Sequence, residues 1–210
     1  MDADFWHKKW ASGQIGFHLS AVNPLLERHF SALALPAGER IFLPLCGKTR
    51  DIAWLLSRGY LVAGAELSAT AVTELFAELG IAPQISPAGA CQHYSGEGID
   101  IFVGDIFNLN SEMLGHVDAI YDRAALVALP EALRRRYAAH LVTLTAAATM
   151  LLLCFEYDQN LAEGPPFSVN EAAIQTLYGR AYQLSILESI DVEGGLKGKY
   201  PARESVFLAK

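Results

Sequence analysis

Basic side chains are in short supply: 16 Lys and Arg stand against 23 Asp and Glu, a formal charge of −7 at neutral pH. A nucleic acid held by counterion release needs a cationic surface, so nucleic acid is not expected as a partner. The one basic run, Arg134-Arg135-Arg136, falls in a helical pattern and reads as a solvated face. Cysteine is scarce too: Cys46, Cys91 and Cys154 are odd in number and far apart. This usage excludes a disulfide framework and suits a reducing cytoplasm. The histidines show no H-x-x-x-H or Cys-paired spacing, so no metal site is expected. The N-terminus lacks a basic region followed by an apolar block, so no signal peptide is read. Residues 137–155 carry no Asp, Glu, Lys or Arg, a length sufficient to span a bilayer, but alanines, threonines and His140 are spread among the leucines. They read as the end of one helix joined to a buried strand, and no membrane partner is expected.

What is present is organised around Arg40-Ile-Phe-Leu-Pro-Leu-Cys-Gly-Lys-Thr-Arg-Asp51 and an acid downstream, Glu66. Ile41 to Leu45 is a short apolar run broken by Gly47. Ile52, Leu55 and Leu56 then recur at helical spacing until Gly59, and a second apolar run ends at Glu66. Strand, tight turn, helix, strand and acid is the layout of a nucleotide-type βαβ unit. The nineteen positions from Gly47 to Glu66 approach the roughly 20 expected for a carboxylate that accepts from ribose hydroxyls. A phosphate-binding P-loop fails on counting, since Phe42 stands where its first glycine belongs. The G-x-G-x-x-G fingerprint fails as well, because Gly47 stands alone. One glycine and one acid fit a ligand with a ribose and no pyrophosphate, of which S-adenosylmethionine is the commonest.

With 210 residues the chain is expected to form a single domain over 1–210, its first 34 residues a helical cover of the active site. Residues 2–12 read as a short helix with Phe5, Trp6 and Trp10 on an aromatic face. Asn23-Pro24 reads as N-cap and first residue of the next helix, and Ser68 as the cap of a third. Residues 81–98, rich in Pro, Gly, Ser and Ala, are expected as a loop or short edge segment. Further strands are expected over 100–103, 117–121 and 150–155, with a helix through Leu133, Tyr137, Leu141 and Leu144 between the last two. Ser168-Val-Asn-Glu171 reads as a capping box. The chain closes with an antiparallel hairpin around 194–198. The fold class is therefore α/β: a mostly parallel seven-stranded sheet flanked by helices, with a C-terminal antiparallel hairpin.

Ligands of open parallel sheets bind beyond the carboxyl ends of the strands, where strand order reverses. That rule gathers Leu45-Cys-Gly47, Glu66, Asp105 and Arg123, each directly after or at the end of an expected strand. Leu45 offers a carbonyl to an ammonium, Glu66 a carboxylate to a ribose diol, and Asp105 with the Ile106 N–H a reader of a base edge. Arg123 offers a planar fork to a carboxylate. Cys46 has apolar neighbours and no paired histidine, and is not read as a nucleophile.

These residues also carry a family resemblance. Trp10 with Gly-Phe-His at 16–18, Pro-Leu-Cys-Gly-Lys at 44–48, Glu66, Asp-Arg-Ala-Ala-Leu-Val-Ala-Leu at 122–129 and Pro-Pro-Phe at 165–167 resemble the thiopurine S-methyltransferase family in its bacterial form. The match runs from about Trp6 to the C-terminus. The resemblance implies an S-adenosylmethionine-dependent methyltransferase acting on a small-molecule thiol, with cofactor contacts at Trp10, Leu45, Glu66, Ile106 and Arg123. It places Phe17 and Arg123 on the acceptor side. Selenium or tellurium species are the alternative acceptors, and a non-catalytic cofactor-binding module is the alternative of another class. No catalytic residue is assigned, because a heteroaromatic thiol ionises readily. A cytoplasmic monomer is expected. The family carries a second substrate-side arginine before the last strand; this chain has Glu193-Gly-Gly-Leu-Lys197 there, leaving Lys197 or Arg203 as candidate substitutes.

Overall fold

Ile41-Phe42-Leu43 and Met150-Leu151-Leu152-Leu153 are unbroken apolar runs, the pattern of strands covered on both faces. In the computed structural model, which describes residues 3–16 and 18–210, both runs lie inside one nine-stranded sheet. Its strands are β1 (Arg40–Pro44), β2 (Leu61–Glu66), β3 (Gln84–Ala88), β4 (Cys91–Gly96), β5 (Ile99–Val103), β6 (Ala119–Arg123), β7 (Thr149–Tyr157), β8 (Leu184–Asp191) and β9 (Ala202–Ala209), in the spatial order β3-β4-β5-β2-β1-β6-β7-β9-β8. The five central strands, β5-β2-β1-β6-β7, are parallel, and the C-terminal hairpin β8–β9 adds antiparallel to β7.

These seven strands are those the sequence predicts. The other two correct the expectation for residues 81–98, which form the antiparallel hairpin β3–β4 beside β5. Along β3 every residue but the last is exposed, so it has no buried face to leave an alternating apolar pattern. Its Pro87 is tolerated because β3 is an edge strand.

Alternation along the strands divides the core in two. One face carries Phe42, Ile120, Leu152 and Phe207, packed with Tyr137 and Leu141 of α6 (Glu131–Leu144) and Ile174 and Tyr178 of α7 (Glu171–Tyr178). The other face carries Ile41, Leu43, Tyr121, Leu151 and Leu153. It packs with Leu26 of α2 (Pro24–His29), Ile52 and Leu55 of α3 (Arg50–Ser57) and Val72 and Phe76 of α4 (Ala69–Leu79). A large apolar side chain buried this fully contributes roughly 1.5–3 kcal/mol. Two short helices, α1 (Ala3–Ala11) and α5 (Ser111–Leu114), complete the set. Residues 137–155 divide between the end of α6 and β7, and among the described residues no helix is long and apolar enough to cross a membrane.

Asn23 caps α2 through its side-chain oxygen, and Ser68 caps α4 by accepting from Ala71 N. The expected capping box at 168–171 does not form. Asn170 caps α7 by accepting from Ala173 N at 2.9 Å. The Ser168 hydroxyl accepts from the Tyr157 N–H at 3.0 Å instead, because the loop is drawn against the end of β7.

Candidate active site

The switch point lies between β1 and β6: the crossovers from these neighbouring strands leave in opposite directions along the sheet. At the carboxyl end of β1 the chain turns through Leu45 (φ +48) and Gly47 (φ +55). Gly47 is needed twice over. Its φ is in the left-handed region, and an added Cβ would sit 3.0 Å from Cζ2 of Trp10. The buried Trp10 ring of α1 thus lies directly on this turn.

Glu66 closes β2 beside the turn and is only 6% exposed. One carboxylate oxygen accepts from the Gly47 N–H and the other from the Ser68 N–H, each at 2.8 Å. Burial raises its pKa, opposed by these backbone donors. A carboxylate has about four acceptor positions and two are taken, so it retains capacity for a vicinal diol. The Cys46 thiol between them is buried, and desolvation pushes its pKa well up, which suits a packing residue rather than a nucleophile.

After β5, the Asp105 side chain accepts from the Phe107 N–H at 3.0 Å and caps a single 3₁₀ turn, Ile106–Asn108. Ile106 itself is buried, and its carbonyl lies 2.9 Å from Nε2 of His140, a donor from α6. Arg123 ends β6. It makes no hydrogen bond or ion pair among the described residues. Its preceding neighbour, Asp122, points to the other face and accepts from the Tyr137 hydroxyl at 2.7 Å and the Leu126 N–H at 3.1 Å. That side chain holds the turn through Ala124 (φ +63) from which Arg123 projects.

The structure therefore brings Trp10, Leu45, Gly47, Glu66, Ile106 and Arg123 to one edge of the sheet. Phe17 lies outside the described residues. Lys197 donates to the Pro165 carbonyl at 3.0 Å, and the exposed Arg203 lies on the opposite face of β9 from Glu204, its Nε 3.7 Å from Asp191. Lys197 is thus drawn to the loop between β7 and α7, and Arg203 to the end of β8. Two residues near Arg123 were given no role from sequence. His18 feels Arg123, and burial and then Lys48 lower its pKa. Glu204 precedes the last apolar run, and an acid two steps inside a strand was its only signal.

A family model described as thiopurine S-methyltransferase (TPMT) matches residues 1–203. The chain belongs to the thiopurine S-methyltransferase family. It is 56% identical over 209 residues to a thiopurine S-methyltransferase of Xanthobacter autotrophicus, covering 99% of this chain and 98% of that one. With the Gluconobacter oxydans protein of the same name it shares 52% over 206 residues, covering 98% and 94%. Among solved structures it resembles a Burkholderia thailandensis 1,6-didemethyltoxoflavin-N1-methyltransferase bound to S-adenosylhomocysteine, with a TM-score of 0.67, 15% identity, and coverage of 99% and 86%. Magnesium protoporphyrin IX methyltransferase from Synechocystis with bound S-adenosylmethionine gives a TM-score of 0.64 at 16% identity, with coverage of 100% and 98%. The fold is that of these methyltransferases. The family member described here is an S-adenosylmethionine-dependent methyltransferase, and its buried acid and glycine turn are chemically suited to that cofactor.

Proposed function

We propose that this chain methylates the sulfur of aromatic and heterocyclic thiols, thiopurines among them. The observation that carries this reading is Arg123, a cation with no hydrogen bond or ion pair among the described residues, at the switch point on the strand beside the Gly47 turn. In this reading the Leu45 carbonyl receives the cofactor's ammonium, Glu66 its ribose diol and the Ile106 N–H its adenine edge. The Trp10 face lies over the sulfonium, since aromatic faces favour cations. When bound, the cofactor supplies an electrophilic methyl group. The chain's own contribution is to orient the two partners in line and to exclude water. Arg123 orients the cofactor carboxylate and stabilises negative charge on the acceptor. Helix α1, whose Trp10 lies on the Gly47 turn, forms the cover on the acceptor side.

Lys197 and Arg203 are engaged elsewhere, which leaves Arg123 to meet the charge of a thiolate. The test is radiolabelled methyl transfer to 6-mercaptopurine, a simple aromatic thiol, selenite and tellurite. Turnover confined to the thiols is expected, and Arg123→Ala is expected to lose both cofactor affinity and turnover. Transfer mainly to the oxyanions would overturn the thiol assignment. Cofactor binding without any transfer would indicate a binding module.

A further inference from the structure

Strand register places a second functional group opposite Arg123. Arg123 pairs with Leu153 of β7, and Leu153 pairs with Val206 of β9. Glu204 lies two residues before Val206, opposite Phe155, and therefore nearer the carboxyl edge of β7. A two-residue step keeps the face, so Glu204 and Arg123 project from the same side of the sheet, two strands apart. Two strand spacings amount to roughly 10 Å, within the span of the two side chains extended toward each other.

Three other carboxylates at this edge are occupied. Glu66 holds two backbone N–H groups, Asp105 caps a turn, and Asp122 is bound on the far face. Glu204 is partly buried and makes no hydrogen bond or ion pair among the described residues. Around it are Arg123 and Tyr121 of β6, Cys154 of β7, and Glu188 of β8, which is held by Arg28 and His29 of α2. His18 of the N-terminal segment shares the field of Arg123. Among these neighbours only Arg123 is an uncommitted cation.

We propose that Glu204 is the base that takes the proton from the acceptor thiol, with Arg123 stabilising the thiolate that forms. The inference rests on the thiol reading above. The S–H bond breaks, its electron pair stays on sulfur, and the proton moves to a Glu204 oxygen. Negative charge passes from carboxylate to sulfur beside the guanidinium, and no co-reactant is needed. Burial raises the Glu204 pKa while Arg123 restrains it, which brings a carboxylate closer to the range useful for a base at neutral pH. The arrangement extends the enzyme to thiols that are protonated in solution.

Two measurements test this. First, with S-adenosylhomocysteine in the cofactor site, an acidic aromatic thiol already ionised in solution is titrated calorimetrically in buffers of different ionisation enthalpy. The wild type is expected to take up close to one proton on binding, since the carboxylate and the thiolate cannot both stay charged. Glu204→Gln is expected to take up none, and Glu204→Asp to retain the uptake. Second, Glu204→Gln is expected to lose at least tenfold more turnover on a thiol protonated at the assay pH than on the ionised one. Equal uptake in wild type and Glu204→Gln, or equal losses on both thiols, would overturn the base while leaving the thiol reading intact. Failure of the wild type to bind any thiol would overturn the thiol reading, and the base with it.

Discussion

At the scale of single residues, two buried carboxylates, Glu66 and Asp122, are held in different ways. Glu66 is buried against two backbone donors, and each such charge-assisted bond contributes roughly 1.5–3 kcal/mol. Glu66→Gln replaces one acceptor oxygen with an amide that cannot accept, and removes the charge a ribose diol would meet. Cofactor affinity is expected to fall at least tenfold by calorimetry; unchanged affinity would remove Glu66 from the cofactor site. Asp122 is also fully buried, and desolvation raises its pKa to about 6 despite donation from Tyr137 and Leu126. Between the ordinary aspartate value of about 3.9 and this value, the folded chain holds a proton that the unfolded chain has lost. Its contribution to stability is therefore greatest at acid pH and declines as pH rises through that window, by roughly 3 kcal/mol in total. Carboxyl NMR of Asp122 is expected to titrate near 6. A midpoint in the ordinary aspartate range would refute this.

At the scale of elements, the starts of α2 and α3 are tied to the centre of the sheet by one buried acid. Asp51 accepts from the Asn23 N–H at 2.8 Å and from the Tyr121 hydroxyl at 3.1 Å, while the Asn23 side chain caps α2. Tyr121 is two residues before Arg123 on β6, so this network also anchors the strand that presents the cation. Asp51→Ala leaves two buried donors without a partner, each costing about 1–3 kcal/mol. A loss of about 2–5 kcal/mol is expected in urea unfolding, and a loss under 1 kcal/mol would mean that water or repacking satisfies both donors. The Asn23 and Ser68 caps were legible because a capping side chain acts within three residues of itself. The Ser168 cap was misread because Tyr157, eleven residues away, competes for its hydroxyl.

At the scale of the whole molecule, Trp10 is the buried side chain of α1 and lies on Gly47 at the cofactor edge, while most of the rest of α1 is exposed. An element held through so few buried side chains opens at low free-energy cost. Binding of S-adenosylhomocysteine is expected to protect the backbone amides of residues 8–22 from hydrogen exchange. Equal exchange with and without the ligand would show that the segment does not close over it. The edge strands respond to a different pressure: β3 is exposed at every residue but its last, and β8 carries a register irregularity between Ile186 and Glu188. Such bulges twist an edge away from pairing with another chain.

By itself the sequence determined the parallel strands and the helices between them, because their burial is written as local periodicity. It also marked Gly47, Glu66 and Arg123, because a turn and two charges at strand ends stand out against apolar runs. Only the tertiary structure decided which cations remain free. Lys197 and Arg203 look equivalent to an arginine in sequence, but the final hairpin turns one to a loop carbonyl and the other to the far face. The same hairpin inserts β9 beside β7 and brings Glu204 to the face of Arg123, eighty-one residues earlier. Strand order and register are set by long-range pairing, which no local pattern encodes.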